Sequence, residues 1–174
     1  MNAALSFFAP CPLAGHTEAC QRYTPPADVP LGEIEIRASE AGLTWVGFVT
    51  DASDDARPSA LTRRCAQQLE AYFAGELTRF ELPLAPPGTE FQRRVWQALT
   101  TIAFGETRSY AEQAEAIGRP TATRAVGAAN GRNPLAIVVP CHRVIGANGR
   151  LTGYAGGLER KRWLLGHEGH AIAR

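Results

Sequence analysis

Ile137-Val138-Val139-Pro140-Cys141-His142-Arg143-Val144 carries an apolar run that stops at a proline, with a cysteine and a histidine directly behind it. A thiol is a weak nucleophile until it ionises, and at an ordinary pKa of about 8.5 only roughly 3% is thiolate at neutral pH. A neighbouring base or cation raises that fraction, which makes a Cys-His pair worth following. On an extended chain adjacent side chains point to opposite faces, so His142 needs a turn or a bridging water to reach Cys141. At this point the alternative stays open: a small buried cysteine closing a core strand, since free cysteine is among the most buried residue types.

Downstream, Gly146, Gly149, Gly153, Gly156 and Gly157 fall within one short segment that has little side chain with which to build a core. Such a loop suits close approach of backbone to a ligand. Tyr154 is its one aromatic residue and offers a stacking platform for a flat ligand, or else packs the loop onto the domain. Residues 158–169 then read as a short helix with Leu158, Trp163 and Leu165 on its apolar face. Glu168 stands at its C-terminal end, where the helix dipole disfavours a carboxylate, so a second reason for its presence is expected.

The 174 residues allow one or two small domains with a real core. No apolar run approaches the roughly 18 residues of a membrane span, and the first residues lack a signal-peptide pattern. Cys11, Cys20, Cys65 and Cys141 are scattered without a CxxC, which fits a reduced, cytoplasmic setting. Cys11, His16 and Cys20 could supply three zinc ligands, but no fourth is spaced with them, and no metal is expected. The formal net charge of +1 hides an asymmetry: residues 1–88 carry 6 Arg/Lys against 11 Asp/Glu, and residues 89–174 carry 12 against 6. A basic second half points to a polyanion partner.

The seam between the halves is Leu82-Pro83-Leu84-Ala85-Pro86-Pro87-Gly88, which reads as a linker. It divides the chain into a small α/β unit, 1–88, and a mainly helical unit, 89–174. In the first, Gly32 to Arg37 and Leu43 to Thr50 read as a β-hairpin around Ala41-Gly42, and Ser59 to Leu77 as a helix burying Leu61, Leu69, Tyr72 and Phe73. Residues 1–30, with several prolines, are left without assignment. In the second unit, Thr89-Glu90-Phe91-Gln92 and Ser109-Tyr110-Ala111-Glu112 are capping boxes, each opening a helix. The first of these helices buries Phe91, Val95, Trp96, Leu99 and Ile102. The second stops at Gly118, and a third runs from about Thr121 to Asn130. Two short helices joined by a glycine-containing turn have the form of a helix-turn-helix, with Arg124 early in its second helix.

Taken in order, these fragments resemble the O6-alkylguanine-DNA alkyltransferases, also called methylated-DNA–protein-cysteine methyltransferases. The resemblance rests on Gly105 to Tyr110, Arg124 to Asn130, Asn133-Pro134, Ile137 to Ile145, Thr152 to Gly157 and Trp163 to Gly169. It spans nearly half the chain in the right order and spacing. A weaker likeness around Pro30 to Val49 and Tyr72-Phe73-Ala74-Gly75 resembles that family's ribonuclease-H-like domain. The resemblance implies an α/β N-terminal ribonuclease-H-like domain and a mainly α, winged-helix-like C-terminal domain with a helix-turn-helix.

It also implies roles. Cys141 would accept the alkyl group from O6 of guanine, His142 would act as base through a water, and Glu168 would orient His142. Tyr110 would give a proton to the departing guanine. Arg124 would fill the space left by the base, since the nucleotide must be flipped from the duplex. Ala125 and Ala128 would lie with it against the minor groove. Asn133 would hold the turn before the cysteine, and the Cys141 and Val144 carbonyls would read the guanine edge. Tyr154 would pack against the base. Ala155 stands where many relatives carry serine, which leaves the backbone contact and removes a hydroxyl. The expected partner is double-stranded DNA containing O6-alkylguanine, met by a monomer, with cooperative loading and activity on O4-alkylthymine left open. The thioether product is not reversed by thiol exchange, so each molecule should act once, without cofactor or metal. Two competing readings are a lesion-binding relative without transfer, and a helix-turn-helix regulator whose cysteine is structural.

Overall fold

The computed structural model describes residues 18–50 and 56–170. Three antiparallel strands open the fold: β1 (Ala19–Tyr23), β2 (Glu33–Ser39) and β3 (Gly42–Val49), in the order β1-β2-β3. The hairpin expected around Ala41-Gly42 is β2–β3, with a bulge between Arg37 and Ala38. β1 lies in the stretch left unassigned from sequence. Its pairing partner is supplied by β2, and every one of its residues is only half-buried, so no alternation marks it.

Helix α1 (Ala60–Phe73) covers this sheet and buries Thr62, Cys65, Leu69, Tyr72 and Phe73. Ser59 and Thr62 form a capping box at its start. It stops short of the expected Leu77 because Gly75 takes φ +76, a left-handed conformation that ends a helix cheaply. Leu61 is only half-buried but packs against the core.

Residues 82–88 are not a free tether. Leu43 N–H donates to Pro83 O (2.8 Å) and Ala85 N–H to Leu43 O (2.8 Å), so the segment lies along β3 with Leu82, Leu84 and Ala85 buried. Prolines between inward-facing apolar residues suit such an edge position, because their missing N–H groups face away from the ladder.

The second unit begins with α2 (Glu90–Leu99), capped by Thr89 and Gln92, and Trp96 Nε1–H donates to Ala129 O (2.8 Å). Helices α3 (Tyr110–Ala116) and α4 (Thr123–Gly131) follow. Gly118 (φ +69) closes α3, with Gly118 N–H donating to Glu115 O and Arg119 N–H to Ala114 O, a Schellman end. Two short strands not foreseen in the sequence, β4 (Arg108–Ser109) and β5 (Val144–Ile145), pair in parallel and fasten the start of α3 to the chain after Cys141. The last helix, α5 (Leu158–His167), buries Lys161, Leu164 and Leu165. Leu158, expected on its apolar face, is 42% exposed, since the helix turns Leu164 and Lys161 inward instead.

The two units share one core. β3 is bonded to the second unit through Val46, whose N–H donates to Pro134 O (2.8 Å) and whose carbonyl accepts from Ala136 N–H (2.8 Å). Tyr72 of α1 sits in an aromatic cluster with Phe73, Phe80, Phe104 and His167, ring centroids 5.0–6.0 Å apart. The cysteine loop is therefore stitched to the N-terminal sheet on one side and to α3 on the other.

Candidate active site

Ile137 to Val139 is not a core strand. The chain turns there, with Val139 N–H donating to Leu135 O (2.8 Å), and Ile137 holds φ +70. A β-branched residue in that region costs about 1–2 kcal/mol, which burial of its side chain in the core offsets. Asn133 fixes the turn: its Nδ2 donates to Val139 O (2.8 Å) and its Oδ1 accepts from Leu135 N–H (3.0 Å). Pro140 then leads into a single 3₁₀ turn, Cys141–Arg143. That turn lets the adjacent residues diverge, so Cys141 faces a cavity while His142 and Arg143 point into the interior.

Beneath the turn lies Glu168. Its Oε1 accepts from His142 Nε2–H (2.8 Å), Arg143 Nη2–H (2.9 Å) and the Tyr72 hydroxyl (2.8 Å), and its Oε2 accepts from Arg143 Nε–H (2.8 Å). Burial favours the neutral acid, but the hydrogen bonds and charges of His142 and Arg143 outweigh it and hold the carboxyl well below its usual range. The carboxylate selects the tautomer of His142 that carries its proton on Nε2. Nδ1 is then the acceptor, and it has no partner among the described residues. Burial lowers the His142 pKa, with Glu168 opposing, so the ring is neutral and able to take a proton.

Burial pushes the Cys141 thiol up, against a hydrogen bond from Asn133 and the charge of Lys161. Lys161 is fully buried and donates to Val144 O (2.5 Å) and Thr152 O (2.8 Å), so its ammonium braces the glycine-rich loop against β5. Burial brings its pKa down to about 8. Tyr110 begins α3 and its hydroxyl donates to the same Thr152 carbonyl (3.1 Å). A cavity of about 240 Å³ opens beside Cys141, lined among others by Asn130, Asn133, Tyr154 and Ala155. The Tyr154 hydroxyl is buried without a partner among the described residues. Val144 is buried, and its carbonyl keeps one lone pair beyond the bond to Lys161.

On α4, Arg124, Ala125 and Ala128 are exposed together on one face, while Val126, Ala129 and Asn130 are buried on the other. Gly127 faces Tyr110, 3.7 Å from where a Cβ would stand. The exposed face of α4 thus runs past Tyr110 towards the cavity. Cys11 and His16 lie outside the described residues, and Cys20 sits on β1 paired with Arg57.

Residues 90–170 match the DNA binding domain of 6-O-methylguanine DNA methyltransferase, and residues 23–86 match its ribonuclease-like domain. The chain belongs to this family.

Among family members, the methylated-DNA–protein-cysteine methyltransferase of Methanosarcina acetivorans is 54% identical over 146 residues, 80% of this chain and 94% of the relative. That of Mycolicibacterium paratuberculosis is 54% identical over 147 residues, 81% of this chain and 88% of the relative. The Mycobacterium tuberculosis protein crystallised in complex with DNA superposes with a TM-score of 0.73 at 49% identity, covering 87% of this chain and 95% of that one. The two-domain methyltransferase fold is accordingly the fold of this chain.

Three residues of this methyltransferase site were not singled out from sequence. Tyr72 was assigned to the N-terminal core, Arg143 passed as part of a motif, and Lys161 lay in a run of basic residues at 160–162 that reads as a solvated helix face. Only the depth of Lys161, with the β5 carbonyl of Val144 and the loop carbonyls of Thr152 and Gly153 within reach, separates it from Arg160 and Arg162. Its local signal was slight: a lysine three residues before the buried Leu164 on the same helical face.

Proposed function

We propose that this alkyltransferase performs direct-reversal repair, moving the alkyl group of O6-alkylguanine in DNA onto Cys141 once per molecule. The observation that carries this reading is the pairing of a buried thiol at the wall of a cavity with a neutral His142 held by Glu168. The Cys141 proton passes to His142 Nδ1 through water. The thiolate pair forms the S–C bond as the C–O6 bond breaks, and guanine leaves with those electrons. Tyr110, at the rim between α3 and the loop, supplies a proton to the guanine ring. The product thioether has no acidic proton and cannot be restored by thiol exchange.

The target atom is unreachable within a stacked duplex, so the nucleotide is flipped. Arg124 fills its place, with Ala125 and Ala128 against the minor groove, where small side chains permit close approach. Exposed Arg119 and Arg132 flank that face and suit phosphate contact. Carbonyls of Cys141 and Val144 read the guanine edge, Asn133 holds the turn, and Tyr154 and Ala155 pack on base and alkyl group. The partition at residue 88 separates the DNA-binding, alkyl-accepting unit from the unit that braces it. The free thiols of Cys20, Cys65 and Cys141 suit a reducing, cytoplasmic compartment.

Mass spectrometry after incubation with duplex DNA bearing one O6-methylguanine tests the proposal. One added methyl on the peptide containing Cys141, saturating at one per protein and lost in Cys141→Ala, is expected. Binding of the lesion without a mass change would refute transfer and make the protein a damage-recognition factor. An O4-methylthymine duplex in the same assay sets the substrate range.

A further inference from the structure

The glycine-rich loop is held at two points, and the second reaches into the N-terminal unit. Lys161 fixes the start of the loop through Thr152 O (2.8 Å). The far end, Tyr154 to Gly157, runs beside β3 of the N-terminal sheet, whose Trp45 and Phe48 stand with Tyr154 and Arg160 around one cavity. Helix α5 starts directly behind it, and no side chain caps that start at Gly157.

Arg160, in the first turn of α5, closes that end. Its Nη1–H donates to Gly156 O (3.0 Å), and its Nε–H donates to Leu31 O (2.8 Å), 129 residues earlier in the chain. The guanidinium carbon lies 4.6 Å from the centre of the Phe48 ring, a cation–π contact. Leu31 is fully buried, so its carbonyl is a fixed point of the N-terminal core. Gly156 is packed as closely: an added Cβ would stand 2.7 Å from Tyr154 Cε1 and 2.9 Å from Phe48 Cδ2. One planar fork thus spans the loop backbone, the N-terminal backbone and an N-terminal ring, which a flexible ammonium does not match. An arginine on a solvated helix face makes none of these contacts.

We infer that Arg160 is a positioning residue for the flipped guanine: it docks the segment Tyr154 to Gly157 on the N-terminal sheet and so presets the loop that meets the base. This rests on the alkyl-transfer reading above. Arg160 acts through the loop and not on the reacting atoms. Without the clamp, a backbone rich in glycine gains freedom that must be lost again when the base enters. Only the docked fraction then binds. Apparent affinity falls by that fraction, while a complex once formed reacts at the native rate.

Single-turnover alkylation tests it, read from the mass of the Cys141 peptide and normalised to the titrated fraction of active thiol. Two substrates are compared, duplex O6-methylguanine and the free, uncharged O6-methylguanine base. Arg160→Met keeps the stem and removes the donors. On the duplex its half-saturating concentration rises about tenfold, the order of one lost hydrogen bond from a charged donor, and the limiting rate holds. On the free base the second-order rate constant falls by the same factor. In a Phe48→Leu background the Arg160→Met step is smaller, because the two residues share one contact across the units. A loss confined to the duplex would make Arg160 a phosphate contact, and a lower limiting rate at unchanged half-saturation would place it in the chemistry. Either result, or strict additivity with Phe48→Leu, overturns the clamp while methyl transfer by the wild type leaves the repair reading standing. Wild-type protein that alkylates Cys141 from neither substrate overturns both.

Discussion

The hydroxyl of Tyr72, in the last turn of α1, donates to Glu168 Oε1 at 2.8 Å, the same oxygen that accepts from His142 Nε2 at 2.8 Å. A residue of the N-terminal unit thereby shares the carboxylate that holds His142 of the C-terminal one. Burial, then the Glu168 charge and hydrogen bond, keep that phenol protonated far above its ordinary range. The N-terminal domain is part of the site's electrostatics as well as its scaffold.

Tyr72→Phe keeps the ring cluster and removes one donor from Glu168. The carboxylate charge is then less dispersed, so it favours the His142 imidazolium more. The acid limb of the alkylation rate profile moves to higher pH, and stability falls by about 1.5–3 kcal/mol, the range for a hydrogen bond to a charged group. Stopped-flow rates against pH, with chemical denaturation alongside, check it. Lost stability with an unmoved profile would make Tyr72 a packing residue only.

Lys161→Met removes the charge that lowers the Cys141 thiol pKa. Less thiolate forms at neutral pH, so alkylation slows several-fold and its rate profile moves to higher pH. With Lys161→Arg the charge persists above pH 8, where the native ammonium titrates. A uniform slowing at every pH in the methionine variant would show that only the loop brace was lost.

Glu168 gives the fold an acid-sensitive stability. Its folded pKa lies below the ordinary 4.5, so its contribution is present above that value and is lost as pH falls through the folded one. Glu168→Gln flattens the stability curve below about pH 4.5 and leaves Arg143 buried without its counter-charge, a loss of about 3–5 kcal/mol at neutral pH. Thermal melts from pH 3 to 7 would show it. Parallel curves for the two proteins would contradict this assignment.

Arg124→Ala removes an exposed side chain from α4 and leaves the cavity intact. Transfer from duplex O6-methylguanine slows by at least about tenfold, whereas reaction with the free O6-alkylguanine base changes much less, because no stacked partner needs replacing. Comparable losses on both substrates would place Arg124 in the chemistry rather than in flipping.

The local sequence announced what local physics controls. The capping boxes at Thr89 and Ser109 and the stop at Gly118 are decided within four or five residues, and their helices begin and end as the side chains dictate. The hairpin at Ala41-Gly42 was legible for the same reason, as was the order of Cys141, His142, Tyr154 and Glu168 along the chain. Non-local pairing decided the rest. β1, β4 and β5 are strands only because a partner lies beside them, and a two-residue strand has no periodicity to read. The prolines of 82–88 marked a seam but could not show that Leu82 and Leu84 dock on β3. Nor could residue order show that Arg143 turns inward to Glu168, that Lys161 alone of its basic run is buried, or that Tyr72 and Trp45 reach the site from the other unit. Chemistry-bearing residues were fixed by sequence, because thiol, imidazole and carboxylate are properties of side chains. Their reactivity was decided by tertiary structure, because desolvation and hydrogen bonds from distant elements set which proton each group holds.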